Sequence, residues 1–194
     1  MPDWKVNNRI SATHAACMFL AKADDWFEPK YIIKITVGVF KGVKAAVEGR
    51  STEKVAEKLG DECLEELRAE IAKLKKKKEK RVFGKPEVLE VQVVQVEAPA
   101  NQKKHTVTVL VAAKSKDYIA DAQSGEVKRG DKKTYVYFEF WRFVRTKERW
   151  LVDRIRPAGD MDRVLDPKNL LSPADMAKFE KKADENQLRE FVQD

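Results

Sequence analysis

Apolar positions in the first eighty residues recur every three or four places, the spacing of one helix face. Ala12, Ala15, Ala16, Phe19, Ala23, Trp26 and Phe27 follow this rule after Ser11, whose hydroxyl suits an N-cap, so a helix is predicted over 11–27. Pro29 fits the first turn of a second helix reaching about Glu48. Its apolar stripe is Ile33, Val37, Phe40, Val43 and Val47, with Lys30, Lys34, Lys41 and Lys44 on another face. Gly49 is placed to stop it, and Ser51 or Thr52 to cap a short third helix. Leu64, Leu67, Ile71 and Leu74 mark a fourth helix over 61–80. Acids open that helix (Asp61, Glu62, Glu65, Glu66) and bases close it (Lys75 to Lys78, Lys80, Arg81), which opposes its dipole at both ends.

Beyond Gly84 and Pro86 the period changes to two. Val88 to Glu97 alternates with a slip of phase between Val93 and Val94, the sign of a bulge. From His105, Val107, Val109, Val111 and Ala113 share one face, and the strand has residues to continue to Asp121. Gln123-Ser124-Gly125 and Arg129-Gly130-Asp131 read as turns. Tyr135 to Arg145 carries Tyr137, Trp141 and Phe143 on one side and Phe138, Phe140 and Val144 on the other, so both faces are covered at least in part. A tight turn over 146–149 leads to a strand over 150–155, completing an antiparallel meander of the long strands. After Pro157 a polar loop precedes an amphipathic helix opened by Ser172, Pro173 and Asp175 and carrying Met176, Phe179, Leu188 and Phe191. Helices first and strands after them indicate an α+β fold rather than βαβ units.

Of the residues, 37% are charged, so the outer faces of these elements must be dense in charge. The net charge of +7 favours anionic partners such as acidic lipid, ribosome or nucleic acid. The apolar stretch from Tyr31 to Val47 is broken by Lys34, Lys41 and Lys44 and is not a membrane span, and no signal-peptide core follows Met1. Any membrane contact is therefore expected to be peripheral, or to be made by a segment upstream. Cys17 and Cys63 are isolated and read as buried thiols. His14 and His105 have no metal-ligand spacing and no evident nucleophile partner, and no phosphate-cradling glycine loop is present. No metal or cofactor is expected.

The stretch from Lys114 to Ile155 carries a more specific signal. Asp117-Tyr118, the Ser124-Gly125 turn, Gly130 near a base, the alternating Glu139, Trp141, Phe143 and Arg145, and the final Trp150, Leu151 and Ile155 together resemble the C-terminal domain of the mitochondrial inner-membrane import translocase subunit 44 family and its bacterial relatives. The stretch from Val39 to Leu67 resembles the paired helices of that family, and the similarity spans about 29–157. It implies a cone similar to nuclear transport factor two: a bent antiparallel sheet of about four strands packed on N-terminal helices, with an apolar pocket. Residues 1–28 then form an accessory helix and 158–194 a C-terminal loop and helix. The family includes peripheral inner-membrane tethers; one member recruits a chaperone largely through a region upstream of this domain, and related domains anchor ribosomes.

Two surfaces follow as candidates. The basic run Lys73, Lys75, Lys76, Lys77, Lys78, Lys80 and Arg81 is the candidate anchor for acidic headgroups. It has no interleaved aromatics, which disfavours base stacking and DNA, while phosphate contact with ribosomal RNA needs charge alone. Phe40, Tyr137, Trp141, Phe143 and Trp150 are the candidate pocket lining. The expected function is a non-enzymatic peripheral membrane tether or adaptor, on a bacterial inner membrane or the mitochondrial matrix side, whose partner is acidic lipid, a membrane protein, a chaperone or a ribosome. The alternatives are a ribosome- or RNA-contacting adaptor, and a pocket enzyme using Asp117, Tyr118, Asp121 or Glu139.

Overall fold

The structure, a computed structural model, describes residues 4–98 and 105–165 together with 177, 178, 180 and 181. Most of the helix expected after Ser172 lies outside the described residues. Helices α1 (Trp4–Ala21), α2 (Pro29–Gly49) and α3 (Asp61–Lys76) precede strands β1 (Glu79–Val82), β2 (Glu87–Glu97), β3 (Thr106–Asp121), β4 (Val127–Arg145) and β5 (Trp150–Pro157), and a short α4 (Met161–Val164) follows. All strand pairs are antiparallel, and the five-stranded sheet runs β1-β3-β4-β5 with β2 also on β3. The helices pack into the hollow of this curled sheet, giving the α+β fold that the helix-then-strand order indicated, with the cone-like curvature that the family resemblance implied.

Helix α1 starts at Trp4, seven residues before the expected Ser11 cap, and ends at Ala21. Its early end has a local cause. Asp24 leaves the helical region (φ −157°) and its carboxylate accepts the Trp26 N–H at 3.1 Å, opening a separate turn over Asp25–Phe27. The Thr13 hydroxyl lies 2.6 Å from the Val93 carbonyl oxygen, tying α1 to β2. Helix α2 closes on Arg50, which takes the left-handed conformation (φ 54°) one residue past Gly49. The expected third helix is a single turn over Ala56–Lys58. Helix α3 ends at Lys76, and Lys78 turns left-handed (φ 54°) so that β1 begins at Glu79. The basic run therefore straddles a helix end and a strand, because Glu79 is drawn inward to Arg129 (2.6 Å) while Ala122 donates to the Lys78 carbonyl (2.9 Å). This extra strand takes the sheet from the expected four strands to five.

The main core lies between the helices and the inner face of the sheet. Val107, Val109, Val111 and Ala113 of β3 face it, as do Trp141 and Phe143 of β4. The bulge in β2 falls where the hydrophobic phase slips: Val93 pairs with Val109 and Gln95 with Thr108, leaving Val94 between them. Val94 turns outward to a second cluster with Leu110, Phe140 and Leu165, while Val96 returns to the main core. Strand β4 begins eight residues earlier than Tyr135, because Arg129-Gly130-Asp131 is not a turn but lies within the strand, paired with Ile119, Tyr118 and Asp117 between two shifts of register. Gly130 has φ 76°, and a Cβ there would sit 2.8 Å from the Asp117 carbonyl oxygen, so only glycine fits. The far edge of the sheet is covered by its own chain. Gly60 N–H donates to the Val152 carbonyl at 2.8 Å, and Glu62 and Glu66 of α3 pair with Arg154 and Arg156 of β5.

Candidate functional site

Two features combine chemistry with exposure: a cavity inside the cone and a basic end of the sheet. The cavity, about 210 Å³, lies between α2, α3 and the inner face of β4. Val43, Val47, Leu67, Phe83 and Trp141 supply its apolar wall, and Lys44, Glu66, Glu70, Arg81 and Glu139 supply charge. It is thus less apolar than the fold alone implied, and the reason is Lys44. The sequence pattern placed this lysine on a different face of α2 from the apolar stripe, but it stands four residues after Phe40 and three before Val47, both buried. Its ammonium lies 2.8 Å from Glu139 Oε1 with 8% of the side chain exposed. It is 4.8 Å from the Phe83 ring centroid and 5.2 Å from those of Phe40 and Tyr137, an aromatic cage closed by one carboxylate. Trp141 Nε1 donates to the other oxygen of Glu139 at 3.1 Å.

Arg81 forms the cavity rim. Nε and Nη2 donate to Asp117 at 2.7 and 2.6 Å, Nη1 donates to Glu70 at 2.7 Å, and the guanidinium lies 4.9 Å from the Phe83 ring centroid. The Asp117 hydrogen bonds hold its pKa well above the ordinary arginine value. On the same wall, burial pushes the Cys63 thiol up to about 12, so it stays protonated and unreactive at neutral pH. Cys17 is likewise pushed up to about 12 by burial in the core.

The expected lining residues separate in space. Trp141 lines the cavity, Tyr137 and Phe40 reach it through the Lys44 cage, and Phe143 is buried in the main core. Trp150 donates from Nε1 to the Trp26 carbonyl at 2.8 Å and meets Phe27 edge-on at 5.3 Å. It also borders an open groove on the other side of α2, with Tyr31, Ile35 and Val39. Of the acids considered for catalysis, Glu139 faces the cavity but is held by Lys44 and Trp141. Asp117 is bound to Arg81. Asp121 organises the β3–β4 turn, accepting the N–H groups of Gln123 (2.9 Å) and Ser124 (3.0 Å) and the Lys128 ammonium (2.9 Å). The Ser124 N–H is the largest cause of its pKa lying well below the usual carboxylate range. Tyr118 is half-buried on β3, and His14 is exposed on α1.

The basic end is larger than the lysine run alone. Lys73, Lys75, Lys76, Lys77 and Lys78 are exposed and Lys80 half-exposed, and none forms an ion pair with a described residue. Strand β1 pairs with Tyr118–Asp121 of β3, which pairs with Val127–Gly130 of β4. The run therefore sits beside the hairpin bearing Lys128, Arg129, Lys132 and Lys133, all exposed. Tyr135 (49% exposed) and Val136 (59%) stand beside these cations on the two sides of the ribbon. Sequence reasoning missed the hairpin half because Arg129-Gly130-Asp131 read as a turn; the two basic pairs Lys128-Arg129 and Lys132-Lys133 before Tyr135 were the available signal. Among the described residues, no group of three or more His, Cys, Asp or Glu is arranged to hold a metal ion, and no helix is long and apolar enough to cross a membrane.

Comparison with known proteins bears on the same span. No curated protein matches the sequence. A solved structure, the intermembrane space region of the chloroplast protein ARC6, is 10% identical with a TM-score of 0.43 over 64% of this chain and 94% of that one. The family model described as the Tim44-like domain matches residues 15–157, from within α1 to the last residue of β5. With most of its length accounted for by that match, the chain belongs to the Tim44-like domain family.

Proposed function

We propose that this domain is a non-enzymatic peripheral tether or adaptor that docks its basic end on a membrane surface rich in acidic lipid. The observation that carries the reading is the meeting of two distant basic segments, residues 73–80 and 128–133, at one end of the sheet. Each lysine or arginine near an anionic surface contributes ~1 kcal/mol, within a reach of ~8 Å at physiological salt. The six lysines of the run alone then support binding in the range of tens of micromolar, on the order of 6 kcal/mol, and the hairpin adds to it. Tyr135 is suited to the headgroup layer, with an apolar ring and a polar tip. Its hydroxyl donates to Asp131 at 2.6 Å, which lowers the Asp131 pKa and raises that of the tyrosine.

The family's association with membrane import machinery agrees with this reading, and the cone cavity is left for a protein segment or small ligand. Its size and its charged floor favour a short amphipathic group over a long hydrocarbon chain. The engagement of Glu139 with Lys44 and Trp141 supports a structural role for that carboxylate rather than a base awaiting substrate.

Co-sedimentation with liposomes at low salt tests the reading. Binding is expected to vesicles containing cardiolipin, to weaken with salt, and to fall in K75Q/K76Q/K77Q/K78Q and in K128Q/K132Q/K133Q. Equal, negligible sedimentation with and without cardiolipin would remove the lipid assignment. Ribosome binding in the absence of lipid, lost in the same variants, would reassign the surface to RNA phosphate.

A further inference from the structure

The outer face of β4 and β5 carries a third charged feature, independent of the proposed docking end. Phe140 pairs with Arg156 and Arg142 with Arg154 directly across the two strands. Like charges placed opposite each other on one sheet face repel. Three carboxylates compensate in part: Asp153 lies 3.1 Å from Arg142, Glu62 lies 3.4 Å from Arg154, and Glu66 lies 2.9 Å from Arg156. Each approaches its arginine on the terminal nitrogens. The Nε groups of Arg142 and Arg154 are buried and have no hydrogen-bond partner among the described residues. Arg163, exposed on α4, makes no ion pair with a described residue. Together with Asp160 and Val164 these arginines wall a cleft of about 260 Å³ that includes Phe140.

We propose that this cleft binds a phosphate-class oxyanion, held by Arg142, Arg154 and Arg163. A planar guanidinium fork matches phosphate oxygens, and a tetrahedral anion can accept from several walls at once. Such an anion would relieve the Arg142–Arg154 repulsion. The cleft is larger than a bare phosphate needs, so a phosphomonoester fits better. Among the described residues lining the cleft, Asp160 is the one carboxylate; it opposes the anion but can accept a hydroxyl of the esterified group.

Calorimetric titration of the full chain with glycerol 3-phosphate and with inorganic phosphate, at low ionic strength, tests the site. Saturable binding is expected, tighter for the ester. It should be abolished in R142Q/R154Q, weakened about tenfold in R163Q, and unchanged in K75Q/K76Q/K77Q/K78Q. The exposed Arg163 can be replaced without loss of folding, so R163Q remains informative if the double variant fails to fold. Vesicles with phosphatidic acid or phosphatidylserine at equal surface charge distinguish the sources. A preference for phosphatidic acid that R163Q removes assigns a lipid headgroup; ester binding without that preference assigns a soluble metabolite. No saturable binding at millimolar ligand, or binding that R163Q retains at full strength, overturns the proposal.

Discussion

The two halves of β4 pair with the same strand and meet different surroundings. From Glu139 to Arg145 the strand is hydrogen-bonded on both edges, by β3 and β5, and its inner side chains lie in the core. From Lys128 to Val136 it pairs with β3, no described strand lies on its other side, and every residue is exposed. The difference separates tasks along one strand: the second half supplies stability, and the first half can hold charge because its side chains are not needed for packing. Unpaired edges invite strand addition, and lysines along such an edge discourage it. The hairpin's charge therefore has a protective use as well as the proposed docking one.

Substitutions that tell the halves apart follow in order of expected size. W141A should cost about 3–5 kcal/mol in urea unfolding, since it empties a fully buried site in the second half. E139Q should cost about 3 kcal/mol, because it strands the Lys44 ammonium beside the aromatic rings. K44M/E139Q should recover much of that loss, and failure to recover would mean that the pair is not the source. G130A, in the first half, should cost about 2 kcal/mol through its positive φ and the contact with Asp117, showing that even the exposed half has one position set by packing.

A fourth variant reads the pH dependence. Glu66 has a lowered pKa, chiefly because Arg156 hydrogen-bonds its carboxylate. Its contribution is full above the ordinary glutamate value of about 4.3 and is lost as pH falls through the lower folded value. Urea midpoints measured from neutral pH down to acid should therefore fall less steeply for E66Q than for the unaltered protein. The smallest effect belongs to K132Q/K133Q, which should leave stability within about 0.5 kcal/mol while reducing vesicle binding. A large loss of stability there would erase the contrast between the halves.

The helical and strand periods made much of this fold legible. Alternation identified the core face of β3, and the Val93–Val94 slip located the bulge that sends Val94 outward and returns Val96 inward. Less legible were positions where tertiary partners override the local pattern. Lys44 was grouped with Lys30, Lys34 and Lys41 on a face away from the apolar stripe, yet Glu139, ninety-five residues later, holds it inside. The lysine run was read as helix to about Lys80 because bases suit the dipole at a helix end; only the pairing of β1 with β3 shows why the helix stops at Lys76. The two-part basic end was hidden for the same reason, since joining residues 73–80 to 128–133 requires the sheet register. The arginine cleft also depends on register, because Arg142 and Arg154 become neighbours only when β4 and β5 pair.

The closure of the β5 edge by Gly60 and the acidic face of α3 has a consequence for assembly. A visiting polypeptide that seeks main-chain hydrogen bonds finds the Val152 carbonyl on that flank already taken and the approach lined by α3. Among the described strands, the edges that remain for strand addition are β1, β2 and the early part of β4, so the two flanks of the sheet are not equivalent.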